Sequence, residues 1–94
     1  MANNIRLAFF GSPPFALPTL EALIDSGKHP TVIVTAPPKR SGRGRKVADN
    51  LVAELGKNND IPVLQPESIT DTLFQEELKR YGCDLMCVVS YGKI

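Results

Sequence analysis

The sequence has 94 residues, a net charge of +1, and hydrophobic and charged fractions of 43% and 22%, which excludes a disordered chain and more than one domain. The amino terminus lacks the basic and apolar regions of a signal peptide, and no apolar run approaches the roughly 18 residues of a membrane-spanning helix. Cys83 and Cys87 are too few for a disulfide framework and lack partners for a metal site. We therefore expect reduced thiols in a cytoplasmic protein.

Four short apolar runs alternate with three stretches of helical periodicity. The predicted strands are 5–10, 31–36, 62–65 and 84–90, and the predicted helices are 15–26, 47–57 and 70–81. Thr70 is the expected N-cap of the third helix. Strands that alternate with helices are typical of a parallel sheet with right-handed crossovers. We therefore expect an α/β fold of βαβαβαβ order, a Rossmann-like parallel sheet with strand order 3-2-1-4.

The ligand-binding edge of such a sheet is predicted where the first and fourth strands lie side by side. Ligands of doubly wound sheets bind outside the carboxyl ends of the strands, at the point where strand order reverses. Gly11-Ser-Pro-Pro14 follows the first strand, and Ser90-Tyr-Gly-Lys-Ile94 follows the fourth. The first segment suits an anion, but Ser12 is equally compatible with a plain helix cap. The second suits a flat ring, or merely a turn.

The segment from Lys39 to Lys46 is predicted to be a polar, basic loop. It holds five of the eleven Lys and Arg residues: Lys39, Arg40, Arg43, Arg45 and Lys46. Gly42 and Gly44 are expected to keep it mobile. Such a loop suits a phosphate backbone or an A·T minor groove, or it forms a solvated surface without function. Its residue content leaves these alternatives open.

No catalytic constellation is visible in the sequence. His29 is the single histidine and falls in a predicted surface turn. Asp84 precedes the fourth strand and is expected at the amino end of the sheet, away from the ligand edge. Neither a Ser-His-Asp set nor a carboxylate pair nor a metal cluster can be assembled from such scattered residues.

Four segments together resemble the methionyl-tRNA formyltransferase family, in order and with matching gaps. They are Phe10-Gly-Ser-Pro-Pro-Phe-Ala16, Thr35 to Lys46 with its Gly-Arg-Gly-Arg-Lys core, Ile61 to Pro66, and Asp84 to Ile94 with its Tyr-Gly-Lys-Ile ending. Pro38 departs from the family pattern, which commonly has Asp at this point. We expect that departure to affect the shape of the loop only.

The resemblance implies transfer of a formyl group from 10-formyltetrahydrofolate to the amino group of initiator methionyl-tRNA. The basic loop would contact the acceptor end of the tRNA, chiefly through Arg43, with support from Lys39, Arg40, Arg45 and Lys46. The folate pocket would be lined by Tyr91, Gly92, Lys93 and Ile94. The turn beside the active-site cleft would consist of Gly11, Ser12, Pro13 and Phe15.

The resemblance also implies that residues 1–94 are the amino-terminal part of a formyltransferase catalytic domain, incomplete at the carboxyl end. The family's catalytic Asn-x-His and a later Asp follow the Tyr-Gly-x-Ile segment, so these 94 residues are expected to be inactive alone. Two alternatives stay open. One is another folate-dependent formyltransferase, such as a sugar-nucleotide formyltransferase or the hydrolase domain of formyltetrahydrofolate dehydrogenase. The other is a non-enzymatic nucleic-acid-binding α/β module. The fourth strand, left at the sheet edge, is expected to promote self-association.

Overall fold

The computed structural model describes residues 5–41 and 46–89, with the backbone alone described for residues 39–41 and 46–48. The strands in these ranges are β1 (Leu7–Gly11), β2 (Val32–Val34), β3 (Lys39–Ser41), β4 (Lys46–Ala48), β5 (Val63–Leu64) and β6 (Leu85–Val89). The helices are α1 (Ala16–Asp25), α2 (Leu51–Asn58) and α3 (Thr72–Arg80). None of the helices in the described ranges is long and apolar enough to cross a membrane.

Four of the strands form one parallel sheet in the order β5-β2-β1-β6. The predicted third and fourth strands are β5 and β6, so the predicted Rossmann-like strand order 3-2-1-4 is confirmed. The central strand β1 pairs with both neighbours through Phe9, which lies opposite Ile33 on one side and Cys87 on the other. The pairing of β1 with β6 ends where Gly11 lies opposite Val89.

Alternate side chains of β1 enter two separate cores, one on each face of the sheet. Phe9 is buried with Leu20 of α1 and Val52 of α2, whereas Phe10 is buried with Phe74 of α3. Two helices therefore cover one face and the third helix covers the other. Each large apolar side chain that is fully buried contributes about 1.5–3 kcal/mol of transfer free energy, so these two layers hold the sheet together.

The predicted polar loop is wrong in part, because its two ends form an antiparallel pair. Lys39 pairs with Ala48 and Ser41 with Lys46, which joins β3 to β4. Pairing satisfies backbone N–H and C=O groups that a loop would leave to water. The sequence did contain a signal for this hairpin, since a short segment with two glycines separates the arms. Residues 42–45 lie outside the described residues. The expected mobility of the two glycines therefore stays a prediction.

Two helices begin later than the sequence predicted. Helix α2 was expected from residue 47, but Val47 belongs to β4, and the Asn50 side chain caps the helix by accepting the Ala53 N–H at 2.8 Å. Helix α3 is capped by Asp71, whose Oδ1 accepts the Leu73 N–H at 2.9 Å, so the expected cap at Thr70 is wrong. In both cases an Asx side chain satisfies an otherwise unpaired N–H and decides the helix start.

Strand β6 is largely exposed although its sequence is apolar. Among the described strands it pairs with β1 alone and therefore lies at the edge of the sheet. Leu85, Met86 and Val88 expose 55%, 61% and 47% of their surface. The predicted edge position of the fourth strand is thus confirmed for the described part of the chain.

Candidate functional site

The carboxyl ends of the parallel strands bring the predicted site segments to one edge of the sheet. Strand β1 has β2 on one side and β6 on the other, so the order reverses between β1 and β6, as predicted. The turn after Gly11 leaves the sheet beside Val89, the residue that pairs with Gly11. The predicted folate segment, Tyr91 to Ile94, follows Val89 in sequence and lies outside the described residues.

Gly11 allows β1, β6 and the start of α1 to approach closely. A Cβ atom at Gly11 would lie 2.6 Å from the Ala16 Cβ and 2.7 Å from the Val89 carbonyl oxygen. Both atoms are fixed by the backbone and cannot rotate away. The glycine at this position is therefore required for packing at the edge where the candidate site begins.

Ser12 does not cap α1 with its side chain, so the simple capping interpretation of this residue is wrong. Its carbonyl oxygen accepts the Ala16 N–H at 3.3 Å, and Phe15 occupies the N-cap position without a side-chain bond. The Ser12 hydroxyl is buried and has no hydrogen-bond partner in the described part of the chain. An unpaired buried hydroxyl costs about 1–3 kcal/mol, which is compatible with a partner supplied by a ligand.

The predicted turn residues differ in accessibility. Pro13 is half-buried, whereas the Phe15 ring is 71% exposed. The turn thus presents one large aromatic side chain to solvent beside the end of β1.

The basic residues also leave the sheet at this edge. We call residues 39–48 the basic hairpin. It follows the carboxyl end of β2 and leads through Asp49 into α2. The backbone places Lys39 and Arg40 in β3 and Lys46 in β4, while Arg43 and Arg45 lie outside the described residues. The fold therefore brings the two predicted segments, the turn and the basic hairpin, to the same edge.

A hydrogen-bond network that we did not predict closes the base of the basic hairpin. The Gln65 side-chain amide donates to the Ala36 carbonyl at 3.0 Å and to Asp49 Oδ1 at 2.7 Å. The Asn50 amide donates to the same Ala36 carbonyl at 3.1 Å and to the fully buried Thr35 hydroxyl at 3.2 Å. We call these five residues the hairpin clamp. In the sequence, the capping preference of Asn50 was the one available signal for it.

Asp49 is the charged member of the hairpin clamp. Partial burial is the largest single influence on its carboxyl group and raises the pKa. Hydrogen bonds from Lys57 and Gln65 oppose burial, as do the charge of Lys57 and the Asn50 N–H, so the pKa is lowered from its ordinary value of 3.8. The Lys57 Nζ lies 2.6 Å from Asp49 Oδ2. Asp49 is therefore ionised at neutral pH and accepts hydrogen bonds on both of its oxygens.

We expect Asp49→Asn to lower the free energy of unfolding at neutral pH by about 1 kcal/mol, because Lys57 is 56% exposed and solvent screens the pair. A lowered folded-state pKa stabilises the fold above the unfolded-state pKa, and this contribution is lost as pH falls through the folded-state value. Urea unfolding from neutral to acidic pH should show the two proteins converging below pH 3.8. Glu76→Gln, which removes an exposed carboxyl on α3, is the control. A difference that persists in acid would contradict this assignment.

The remaining polar candidates lie away from this edge. Asp84 accepts the Arg6 N–H at 3.0 Å at the amino end of the sheet, as predicted. His29 lies exposed in the turn before β2. Both cysteines are free thiols, and no cluster of three or more metal-ligating side chains occurs within residues 5–41 and 46–89.

Comparison with known proteins identifies the class of protein that has this fold. The family model described as formyl transferase matches residues 5–94, and the chain belongs to this family.

Particular relatives are methionyl-tRNA formyltransferases. That of Coxiella burnetii (strain RSA 493) is 43% identical over 91 residues, which are 97% of this chain and 29% of the relative. That of Stutzerimonas stutzeri (strain A1501) is 43% identical over 94 residues, 100% of this chain and 30% of the relative. That of Buchnera aphidicola subsp. Acyrthosiphon pisum (strain APS) is 42% identical over 92 residues, 98% and 29% respectively. The chain thus spans about three tenths of the length of these curated relatives, and the predicted resemblance is confirmed.

Proposed function

We propose that this chain serves in the formylation of initiator methionyl-tRNA during translation initiation, in the cytoplasm, with 10-formyltetrahydrofolate as the donor. The observation that carries the proposal is the position of two segments in the sheet. The basic hairpin and the Gly11 turn leave the sheet at one edge, where strand order reverses. A phosphate-binding element beside a ligand edge is the arrangement that a tRNA-modifying transferase needs. The three relatives named above carry the name of this activity.

The proposal treats residues 1–94 as the amino-terminal part of a formyltransferase catalytic domain. The folate would be held by Tyr91, Gly92, Lys93 and Ile94 and would supply the formyl group. The Ser12 hydroxyl, which is buried without a hydrogen-bond partner among the described residues, supports a polar ligand at this edge. Gly11, Pro13 and Phe15 would border the cleft. The residues that polarise the formyl carbonyl and move protons are expected outside this chain, in the family's Asn-x-His and later Asp.

The proposal assigns the basic hairpin to the tRNA acceptor end. Its five cations would neutralise phosphates and release counterions, which makes binding dependent on salt. Arg43 is the foremost contact by its position in the motif, and Lys39, Arg40, Arg45 and Lys46 support it. The net charge of the whole chain is only +1, so the local concentration of charge, and not the overall charge, favours RNA.

Replacing Arg43 and Lys46 together by glutamine is expected to weaken binding to an initiator-tRNA acceptor-stem minihelix about tenfold or more. The slope of log K against log salt concentration should fall by about 1 for each cation removed, because each contact releases counterions. Fluorescence anisotropy at several salt concentrations measures both quantities. The matched control is Arg80→Gln with Lys79→Gln, the same two residue types at the exposed end of α3. Equal effects of the two double variants would contradict a specific role for the hairpin.

The activity itself is tested by a chimera in which this chain replaces the matching 91 residues of the Coxiella burnetii relative. We expect the folded chimera to formylate methionyl-tRNA in the presence of 10-formyltetrahydrofolate. We expect the 94-residue chain alone to be inactive, because its sequence contains no Asn-x-His motif. Formylation by the chain alone, above a reaction without protein, would overturn the expected inactivity. A folded chimera that cannot formylate would count against the proposed function.

Selectivity for the nucleic acid separates this proposal from a simple binding module. A bare basic loop should bind any nucleic acid weakly, with a steep salt dependence. The chimera should instead prefer initiator methionyl-tRNA to an elongator tRNA. A chimera that formylates an amino sugar and not methionyl-tRNA would favour another folate-dependent formyltransferase.

We also propose that the isolated chain self-associates through the outer edge of β6. The support is the exposure of three large apolar side chains on a strand that pairs with β1 alone among the described strands. Unpaired backbone groups at such an edge favour pairing with another chain.

A further inference from the structure

We propose that the hairpin clamp is a positioning device, which fixes the direction in which the basic hairpin leaves the sheet and thereby raises its affinity for RNA. The proposal rests on the RNA-binding role given to the hairpin above. The clamp residues need not contact RNA. They act through the backbone segments that enter and leave the hairpin, so they are positioning residues.

One carbonyl group is central to the clamp. The Ala36 carbonyl lies in the segment that enters the hairpin, and it accepts hydrogen bonds from Gln65 at 3.0 Å and Asn50 at 3.1 Å. Asn50 and its neighbour Asp49 lie in the segment that leaves the hairpin, and Asp49 also accepts from Gln65, at 2.7 Å. The Gln65 amide thus bridges the entering and leaving segments. The two ends of the hairpin are held together at its base.

Gln65 and Asn50, whose amides bind the base of the hairpin, are themselves held in place by secondary structure. Gln65 directly follows β5, whose Leu64 carbonyl accepts the Thr35 N–H at 3.0 Å. Asn50 is fixed as the N-cap of α2 because its Oδ1 accepts the Ala53 N–H at 2.8 Å. Hydrogen bonds therefore attach the base of the hairpin both to the sheet and to helix α2. A binding element that is held in place before binding loses less conformational freedom when the partner arrives.

Asp49 is placed where simple electrostatics would oppose RNA binding. It is a carboxylate at the end of a segment whose cations are proposed to meet phosphates, and Lys57 compensates its charge at 2.6 Å. If charge alone mattered, removing Asp49 would strengthen RNA binding. If the clamp matters, removing Asp49 weakens binding, because Gln65 and the Asn50 N–H lose a charged acceptor. The sign of the effect therefore separates positioning from charge.

The main test compares Gln65→Met with Gln75→Met in the 94-residue chain. Methionine keeps the length of the side chain but removes the amide. Gln75 is the matched control, because its amide also donates to a backbone carbonyl, that of Ile69 at 3.1 Å, but on α3. Binding of the initiator-tRNA acceptor-stem minihelix is followed by anisotropy across a salt series, with circular dichroism to show that each variant is folded.

We expect Gln65→Met to weaken minihelix binding about fivefold while the salt slope stays unchanged, since the same phosphates are contacted by a less ordered hairpin. Gln75→Met should bind like the parent chain. Asp49→Asn should also bind more weakly, despite its added positive charge. Binding by Gln65→Met equal to that of Gln75→Met, or tighter binding by Asp49→Asn, would overturn the proposal. A slope that falls with Gln65→Met would also overturn it, because lost phosphate contacts would then explain the weaker binding.

A second variant covers the case in which Gln65→Met does not fold. Asn50→Ser keeps an oxygen that can cap α2 but removes the two amide hydrogen bonds to Thr35 and Ala36. It should give the same loss of affinity with the same slope, and parent-like affinity would overturn the proposal. The test also separates this proposal from the proposed function. If Arg43→Gln with Lys46→Gln leaves binding intact, the RNA-binding role fails. If that variant weakens binding and the clamp variants do not, only the clamp proposal fails.

Discussion

Replacing Gly11 with valine is expected to unfold the 94-residue chain, and replacing it with alanine is expected to lower its free energy of unfolding by about 3 kcal/mol. Even one added carbon would lie 2.6 Å from the Ala16 Cβ and 2.7 Å from the Val89 carbonyl oxygen. Relief would require β6 or the start of α1 to move, since neither atom can rotate away. Urea unfolding followed by circular dichroism measures the loss.

The control for Gly11→Ala is Gly27→Ala. Gly27 has a φ of 81°, and an added Cβ there would meet nothing within 4 Å, so only backbone strain of about 1 kcal/mol is expected. Adding Ala16→Gly to Gly11→Ala should recover part of the loss, because it removes the nearer of the two clashes. A loss at Gly11 no larger than that at Gly27 would show that the edge is less tightly packed than the structure indicates.

Self-association of the isolated chain is expected to fall by more than about a hundredfold in association constant when Leu85 and Val88 are both replaced by lysine. The two residues lie on opposite faces of β6, so their lysines would place positive charge on both sides of the edge. Two copies that meet at this edge would bring like charges together. Sedimentation velocity across a concentration series measures the change.

The matched control replaces Leu51 and Leu73, two exposed leucines on helices, by lysine. This control adds the same charge and removes similar apolar surface, so solubility effects of charge alone would appear in both variants. We expect the helix variant to self-associate like the parent chain. A parent chain that stays monomeric at high concentration, or equal effects of the two variants, would contradict association through β6.

These predictions concern one pair of strands. Gly11 lies opposite Val89 where the β1–β6 pairing ends, and Leu85 and Val88 are exposed side chains of β6. The proposed folate segment follows β6 directly in sequence. Any disturbance of the β1–β6 register is therefore expected to reach the proposed donor site before it reaches the hairpin. The hairpin clamp, by contrast, depends on β2, β5 and α2.

Local sequence signals were sufficient for most elements of the sheet. The apolar runs and their spacing predicted the alternation and the order of the four parallel strands, because a strand followed by a helix has few ways to return to the same sheet. The same signals misplaced the starts of α2 and α3. The first of these predictions extended the helix to Val47, and the second took Thr70 as the cap. In the structure, one hydrogen bond accepted by the side chain of Asn50 or Asp71 decides where each helix begins.

The candidate site was predicted in part. The Gly11 turn and the basic segment were recognised because glycine, proline and clustered cations mark such sites locally. That both leave one edge follows from the parallel sheet. Gln65 was not recognised as part of a site, since nothing in its neighbourhood of the sequence indicates a bond to Ala36, 29 residues away.

Three properties follow from the amino-acid sequence alone: the alternation of strands and helices, the basic charge of residues 39–46 and the family resemblance. Each of them depends on residues a few positions apart. The tertiary structure alone decided that Ser12 lacks a side-chain partner in the described region, that Gly11 must be a glycine, and that Gln65 and Asn50 close the base of the hairpin. The physical reason is the short range of the interactions involved. Hydrogen bonds and steric contacts act over a few ångströms, and only the folded sheet brings residues distant in sequence within that reach.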